Sequence, residues 1–219
     1  MLTMPPLLDD PLRSLLARLT PDAPRTLIAL AGLPGSGKST LAARLAAEVN
    51  AAAGPGTMVA LGMDGFHLPK AALRGMPDPE AAFARRGAPW TFDVPALVAR
   101  LRALRDAAGH TSVGWPDFRH EIGDPVEDAF AVGPETRLVL VEGLYLLHPE
   151  GGWEALGPLW DERWYLDTPL EVALERLTER HKEAWGLTRA EAERRVDAND
   201  RLNAEIVAGT RGLADWRVD

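Results

Sequence analysis

The chain of 219 residues is long enough for one or two domains, and 46% hydrophobic with 26% charged residues excludes a disordered or fibrous protein. Its 24 Lys+Arg against 32 Asp+Glu give a formal net charge of -8, which excludes a general polyanion-binding surface and so argues against a nucleic-acid partner. There are no cysteines, which removes disulfides, zinc–thiolate sites and thiol nucleophiles and is compatible with a reducing cytosol.

In chain order, Leu8, Leu12, Leu15, Leu16 and Leu19 recur at helical spacing, and Pro21 and Pro24 end that segment. Asp9 and Asp10 stand where a secretory leader would be basic or apolar. The longest charge-free stretch, between Glu48 and Asp64, carries Asn50, Pro55 and three glycines and falls short of the roughly 18 apolar residues of a membrane span. A cytoplasmic chain with no membrane partner is expected.

Thr26 to Ala31 is an apolar run followed by glycine, which suits a strand covered on both faces of a parallel sheet. A helix pattern follows from Lys38 to about Ala53. Thr57 to Gly62, Arg137 to Val141 and Arg163 to Leu166 read as three further strands. Strands alternating with helices predict right-handed βαβ units, with ligands gathering beyond the carboxyl ends of the strands. Between the second and third strands, the stretch from Asp64 to Glu142 is rich in proline and holds one clear amphipathic helix, about Val94 to Ala107; it reads as an inserted substrate region. From Leu170 to Ala208 the chain is charged and helical, with Glu171, Glu175 and Glu179 on one spacing of four and Arg176 and Arg180 on another. No repeat or long linker divides the chain, so a single domain over 1–219 is expected.

Gly32-Leu33-Pro34-Gly35-Ser36-Gly37-Lys38-Ser39 fits G-x-x-x-x-G-K-[ST] at a predicted strand-to-helix junction, the setting the motif requires. Gly32, Gly35 and Gly37 let backbone N–H groups turn inward around phosphate oxygens, with Ser36 and Thr40 completing the binding set. The helix starting at Lys38 adds the positive end of its dipole. Lys38 supplies a mobile charge for the β- and γ-phosphates of a nucleotide such as ATP, and Ser39 a hydroxyl for Mg²⁺. Two carboxylates, Asp64 and Glu142, follow strands and should project at the same sheet edge. One could serve the metal and the other accept a proton from an attacking hydroxyl; for Asp64 a plain Asp-Gly turn is the competing reading.

This phosphate loop, then MDGFHLP at Met63 to Pro69, then VEG at Val141 to Gly143, resembles the phosphoribulokinase, uridine kinase and bacterial pantothenate kinase superfamily of P-loop kinases. RRGAPWTFD (Arg85 to Asp93), PDFRHEIGDPV (Pro116 to Val126), LDTPLEVALERLTERH (Leu166 to His181) and DANDRLNAEIV (Asp197 to Val207) are similar to one branch of it, loosely described as nucleoside/nucleotide kinase-like or fructose-transport-system kinase-like. The resemblance covers about residues 25 to 210. It implies an α/β P-loop NTPase three-layer fold with a mainly parallel sheet, a helical insert over 64–142 and a helical lid over about 170–200.

It also implies roles. Asp64 matches the general base toward the acceptor hydroxyl, and Glu142 the residue that holds the metal or its waters. Arg176 and Arg180 match lid arginines that neutralise charge on the transferred phosphoryl group, with Arg189, Arg194 and Arg195 as further candidates. The commonest P-loop pattern has Asp rather than Glu at position 142, which leaves direct ligation and ligation through water both open. Phe66, His67, Arg85, Arg86, Asp117, Arg119, His120 and Tyr145 fall in segments similar to those lining the acceptor site. Of these, His67 and Asp117 suit hydroxyls, Arg85 and Arg119 suit a phosphate or carboxylate, and Tyr145 is either a substrate contact or a core aromatic. The seven tryptophans lack regular spacing and read as packing residues. The expectation is an ATP- and Mg²⁺-dependent kinase acting on a hydroxyl of a small metabolite. The alternatives are an ATPase or GTPase switch, against which no Asn-Lys-x-Asp guanine signature is found, and a nucleotide-binding scaffold without transfer.

Overall fold

The computed structural model describes residues 6–219 apart from 120, without the side chains of residues 6–8. His120 and the side chain of Leu8 therefore lie outside the described residues. The first helix, α1, spans Pro6–Ala17. β1 (Thr26–Gly32) runs into the phosphate loop, and α2 (Lys38–Ala53) leaves it. β2 (Met58–Gly62) ends in a single 3-10 turn, Met63–Phe66, that carries Asp64. Helices α3 (Lys70–Arg74), α4 (Pro79–Ala84) and α5 (Val94–Asp106) precede strands β3 (Val113–Arg119) and β4 (Asp124–Val132). β5 (Leu138–Gly143) and β6 (Glu162–Leu166) return to the sheet. The chain closes with α6 (Leu170–Trp185), α7 (Arg189–Arg195), a π-helical turn (Val196–Asp200), α8 (Arg201–Ala208) and β7 (Trp216–Val218).

Five strands form one parallel sheet in the order β2-β5-β1-β6-β7. The residues of β1 are all buried, as its unbroken apolar pattern requires. Leu27, Ala29 and Ala31 point into one core with Leu97, Leu101 and Leu104 of α5, Leu174 and Leu177 of α6 and Val207 of α8. Ile28 and Leu30 point into the other, with Leu15 of α1 and Leu41, Leu45 and Val49 of α2. Alternation along one strand thus produces a helix–sheet–helix sandwich.

Three features depart from the pattern expected. The inserted region holds an antiparallel hairpin, β3–β4, whose register shifts between Trp115 and Asp117, around Pro116. It packs on the turn bearing Asp64: Trp115 Nε1 donates to Gly62 O at 2.9 Å, and a Cβ on Gly65 would run into the Pro116 carbonyl. A fifth sheet strand, β7, pairs with β6. Finally, the Leu170 to Ala208 segment is broken at Gly186, which takes a left-handed φ of 63°, and again by the π turn.

Candidate functional site

The carboxyl ends of β1, β2 and β5 converge beneath an open cleft of about 510 Å³. Parallel pairing puts Gly62 level with Glu142, so the residues that follow β2 and the end of β5 face the same space. The cleft is lined by Lys38, Ser39 and Thr40 of the phosphate loop and α2, by Asp64 and His67, by Glu142, and by Arg176 and Arg180 of α6.

The loop's shape depends on glycine at two places. Gly35 and Gly37 hold φ of 78° and 99°, where side chains are strained, and a Cβ on Gly35 would strike the Ala173 carbonyl of α6. Ser36 O accepts from Arg176 Nη1 and from Thr168 Oγ1, both at 3.1 Å. Ser36 is only 3% exposed, and its Oγ is buried without a hydrogen-bond partner. Gly32 backs the loop, where a Cβ would press on Leu166.

Lys38 Nζ donates to Leu33 O at 2.9 Å, folded over its own loop. Burial pushes its ammonium below the ordinary lysine range; Glu142 and Asp64 act in the opposite sense, and Arg180 reinforces the fall. Ser39 Oγ donates to Glu142 Oε1 at 2.8 Å. Burial pushes the Glu142 carboxyl up, Lys38 pulls it down, Asp64 raises it and the Ser39 hydrogen bond lowers it. Charges of both signs are therefore held close together in a partly dehydrated site.

The donor set fits a nucleotide and its divalent ion. Two positive-φ glycines, a helix N-terminus and a buried lysine form an anion cradle, and Ser39 and Glu142 already share a hydrogen bond at its mouth. Among the described residues no cluster of three His, Asp or Glu could hold a metal alone. An ion here would draw on phosphate oxygens and water as well as Ser39 and Glu142, which is how Mg²⁺ binds most readily.

The structure also sorts the expected acceptor residues. His67 lines the cleft, its Nδ1 2.8 Å from Asp64 O and its ring against those of Phe92 and Phe118, with centroids 4.1 and 4.7 Å away. Tyr145 does not reach it: the residue is fully buried between Phe92 and Trp153, and its hydroxyl donates to Gly87 O at 2.6 Å. Burial pushes its phenol well up, and its place is in the core. Asp117 and Arg119 pair with each other at 3.5 Å on the hairpin, outside the cleft lining. Arg85 is likewise outside it, donating to Ala198 O, Asn199 O and Asn203 Oδ1.

On α6 the two charge stripes separate. Arg176 and Arg180 face the cleft, whereas Glu175 and Glu179 pair with Arg189 of α7. Arg195 lies over the Trp185 ring at 4.2 Å, and that ring stacks on His181 at 4.5 Å, so these groups tie α6 to α7.

Among the cleft residues that the sequence does not single out individually are Phe92, Asn199, Asp200 and Asn203, although all four lie in the segments RRGAPWTFD and DANDRLNAEIV that carry the family resemblance. The last three come from the π turn and the first turn of α8. A change of helical pitch sets which of these side chains share a face, and an α-helical reading of the sequence cannot anticipate it.

A phosphate loop at a strand–helix junction, under a parallel sheet whose neighbouring strand ends supply two carboxylates, defines a P-loop nucleotide-binding protein. A Schizosaccharomyces pombe protein named "putative uridine kinase" is 40% identical over 185 residues, 84% of this chain and 78% of that one. The chain belongs to the uridine kinase and phosphoribulokinase family of P-loop kinases. An Aspergillus versicolor protein named as ATP-dependent kinase-like is 43% identical over 153 residues, 68% of this chain and 88% of that one. The crystal structure of a "putative fructose transport system kinase" from Silicibacter sp. TM1040 superposes with a TM-score of 0.85 at 36% identity, covering 98% of this chain and 99% of that one. Phosphoribulokinase from Rhodobacter spheroides shares the fold, with a TM-score of 0.61 at 15% identity over 87% of this chain and 68% of that one. No family model matches the chain.

Proposed function

We propose that the protein transfers the γ-phosphoryl group of ATP, in the presence of Mg²⁺, to a hydroxyl of a small metabolite such as a nucleoside, a sugar or a pantothenate-like alcohol. The observation that carries this reading is the meeting of Lys38, Ser39, Glu142, Asp64, Arg176 and Arg180 around one cleft. A nucleotide-binding scaffold has no use for a carboxylate on the acceptor side of its phosphate loop, and kinases need one.

Each residue has a task that follows from its position. The loop's backbone N–H groups and the start of α2 receive the β-phosphate. Lys38 leaves the Leu33 carbonyl to reach the β- and γ-phosphate oxygens. Ser39 and Glu142, the latter directly or through water, would hold Mg²⁺, which when bound would supply positive charge to the transferred group. Asp64 accepts the proton of the acceptor hydroxyl as its oxygen attacks phosphorus. The phosphorus-to-bridging-oxygen bond breaks, and ADP leaves. Arg176 and Arg180 neutralise charge spreading over the equatorial oxygens, and the α6–α8 segment limits water as a competing acceptor.

The names of relatives point to different acceptors, a nucleoside for one and a sugar for another. The test is to follow ATP turnover with Mg²⁺ for the wild type and Lys38→Ala, acceptor by acceptor. Acceptor-dependent ADP release that disappears in Lys38→Ala is the expected result, and release indifferent to every acceptor would return the protein to the switch or scaffold class.

A further inference from the structure

The π turn Val196–Asp200 is pinned from two sides. From the inserted region, Arg85 donates to Ala198 O, Asn199 O and Asn203 Oδ1, and Arg86 O accepts from Asn199 Nδ2. From α6, His181 reaches Asp200, with Nε2 2.8 Å from Oδ2. Of the three cleft residues that this segment supplies, Asn199 and Asn203 are thus committed in part to the insert. Asp200 is held instead by the helix that also presents Arg176 and Arg180 to the cleft.

The chemistry of this pair gives it a direction. An ionised carboxylate only accepts, so His181 Nε2 carries the hydrogen, whether the imidazole is neutral or charged. Both side chains are largely buried, 8% and 19% exposed, and the His181 ring is fixed by stacking on Trp185, which has the Arg195 guanidinium 4.2 Å from its ring. Oδ2 is therefore taken. Oδ1 makes no hydrogen bond among the described residues, and Asp200 lines the same cleft as Asp64 and His67. A carboxylate with one oxygen clamped by a rigid ring cannot swing freely, and its other oxygen is a fixed site for one donor.

We propose that Asp200 Oδ1 receives a hydroxyl of the acceptor, a second contact beside the reacting hydroxyl at Asp64, and that His181 is the positioning residue that aims it. This rests on the phosphotransfer reading and adds two residues to it. One hydrogen bond at Asp64 would leave the acceptor free to pivot, whereas a second from another element fixes which of its oxygens faces the phosphate. His181 follows Arg180 in α6, so the helix that brings an arginine to the phosphoryl group also sets the orientation of the acceptor.

Steady-state kinetics with the most productive of uridine, ribose, fructose and pantothenate test this. Asp200→Ala should raise the KM of that acceptor about 10-fold or more, exceeding any fall in kcat, with ATP affinity within about 2-fold of the wild type. His181→Phe keeps a ring for Trp185 but has no donor, and should raise the acceptor KM about 5-fold or more. His181→Gln loses the ring but keeps a nitrogen donor near the place of Nε2, and should return the acceptor KM to within about 2-fold of the wild type. In the Asp200→Ala background, His181→Phe should change that KM by less than about 2-fold, since the residue it positions is gone. A folded His181→Phe or Asp200→Ala with the wild-type acceptor KM overturns the proposal. So does an equal loss in His181→Gln and His181→Phe, the mark of a packing role. If none of the four acceptors gives ADP release that Asp64→Asn abolishes, the phosphotransfer reading fails and this proposal fails with it. If that release is intact and only the KM effects are missing, the assignment of Asp200 and His181 alone is wrong.

Discussion

Asp64, Lys38 and Arg180 are all charged residues at one cleft, yet their substitutions should have separable effects. In the proposed transfer Asp64 meets the acceptor rather than the nucleotide, so Asp64→Asn should lower kcat by about 100-fold or more while ATP affinity stays within about 2-fold. Turnover at the wild-type rate would remove it from the role of base. Lys38 is buried against its own loop, and in the proposed transfer it meets the phosphates in both ground and transition states, so Lys38→Ala should abolish ATP binding and turnover together, as read by nucleotide titration and ADP release. In the proposed transfer Arg180 acts on charge that develops only as the phosphoryl group moves. Arg180→Ala should therefore depress kcat by about 10-fold or more with a smaller effect on ATP affinity, and unchanged kinetics would leave it a surface cation of α6.

At the scale of elements, the phosphate loop is shaped by what packs behind it. Gly35 combines a φ of 78° with close approach to the Ala173 carbonyl, so Gly35→Ala should cost about 1–3 kcal/mol and weaken ATP binding at least about 10-fold. Thermal unfolding and nucleotide titration would report the two effects, and a variant with wild-type values for both would show that the loop tolerates displacement from α6. Gly65 is the corresponding point for Asp64: a methyl group there meets Pro116 of the hairpin. The loop was legible in the sequence because its residues are contiguous and sit between an apolar strand and a helix. The hairpin was not, because Gly114, Pro116 and the charges of β4 mask alternation, and β4 is largely exposed. Asn199, Asp200 and Asn203 were legible only as part of the DANDRLNAEIV segment and not as cleft residues, because a π turn in a highly charged helical segment brings them there. Tyr145, Asp117 and Arg119 show the reverse error, since residue type suggested chemistry that packing and mutual pairing use otherwise.

For the whole molecule, the four apolar strands were readable because β1, β5 and β6 lie inside a sheet covered on both faces and the edge strand β2 also sends Leu61 and Met58 into the cores on its two sides. β7 was not, because Trp216-Arg217-Val218 is short, carries an arginine at its centre and is recognisable only by its pairing with β6. That edge is secured by Asp215, whose carboxylate accepts from the Arg163 backbone N–H at 2.9 Å and from its guanidinium at 2.6 and 3.1 Å. The side-chain hydrogen bonds from Arg163 hold the Asp215 carboxyl below its ordinary value, against a smaller opposing effect of burial. A depressed folded-state pKa means that the stabilisation is present above the unfolded value of about 3.9 and is lost as pH falls through the lower folded value. The melting temperature of Asp215→Asn should therefore lie below that of the wild type near neutral pH and converge with it as the pH is taken below about 4. A gap that persists in acid would assign the loss to something other than this charge. No helix among the described residues is long and apolar enough to cross a membrane.

The most direct test of the central claim is acceptor-dependent ADP release with Mg²⁺ across nucleosides, pentoses, hexoses, their phosphates and pantothenate. It should be run for the wild type and Asp64→Asn beside ATP titrations of both. One acceptor should raise turnover, Asp64→Asn should remove the rise, and both proteins should bind ATP alike. Slow ATP loss that ignores every acceptor and is the same in Asp64→Asn would contradict that claim.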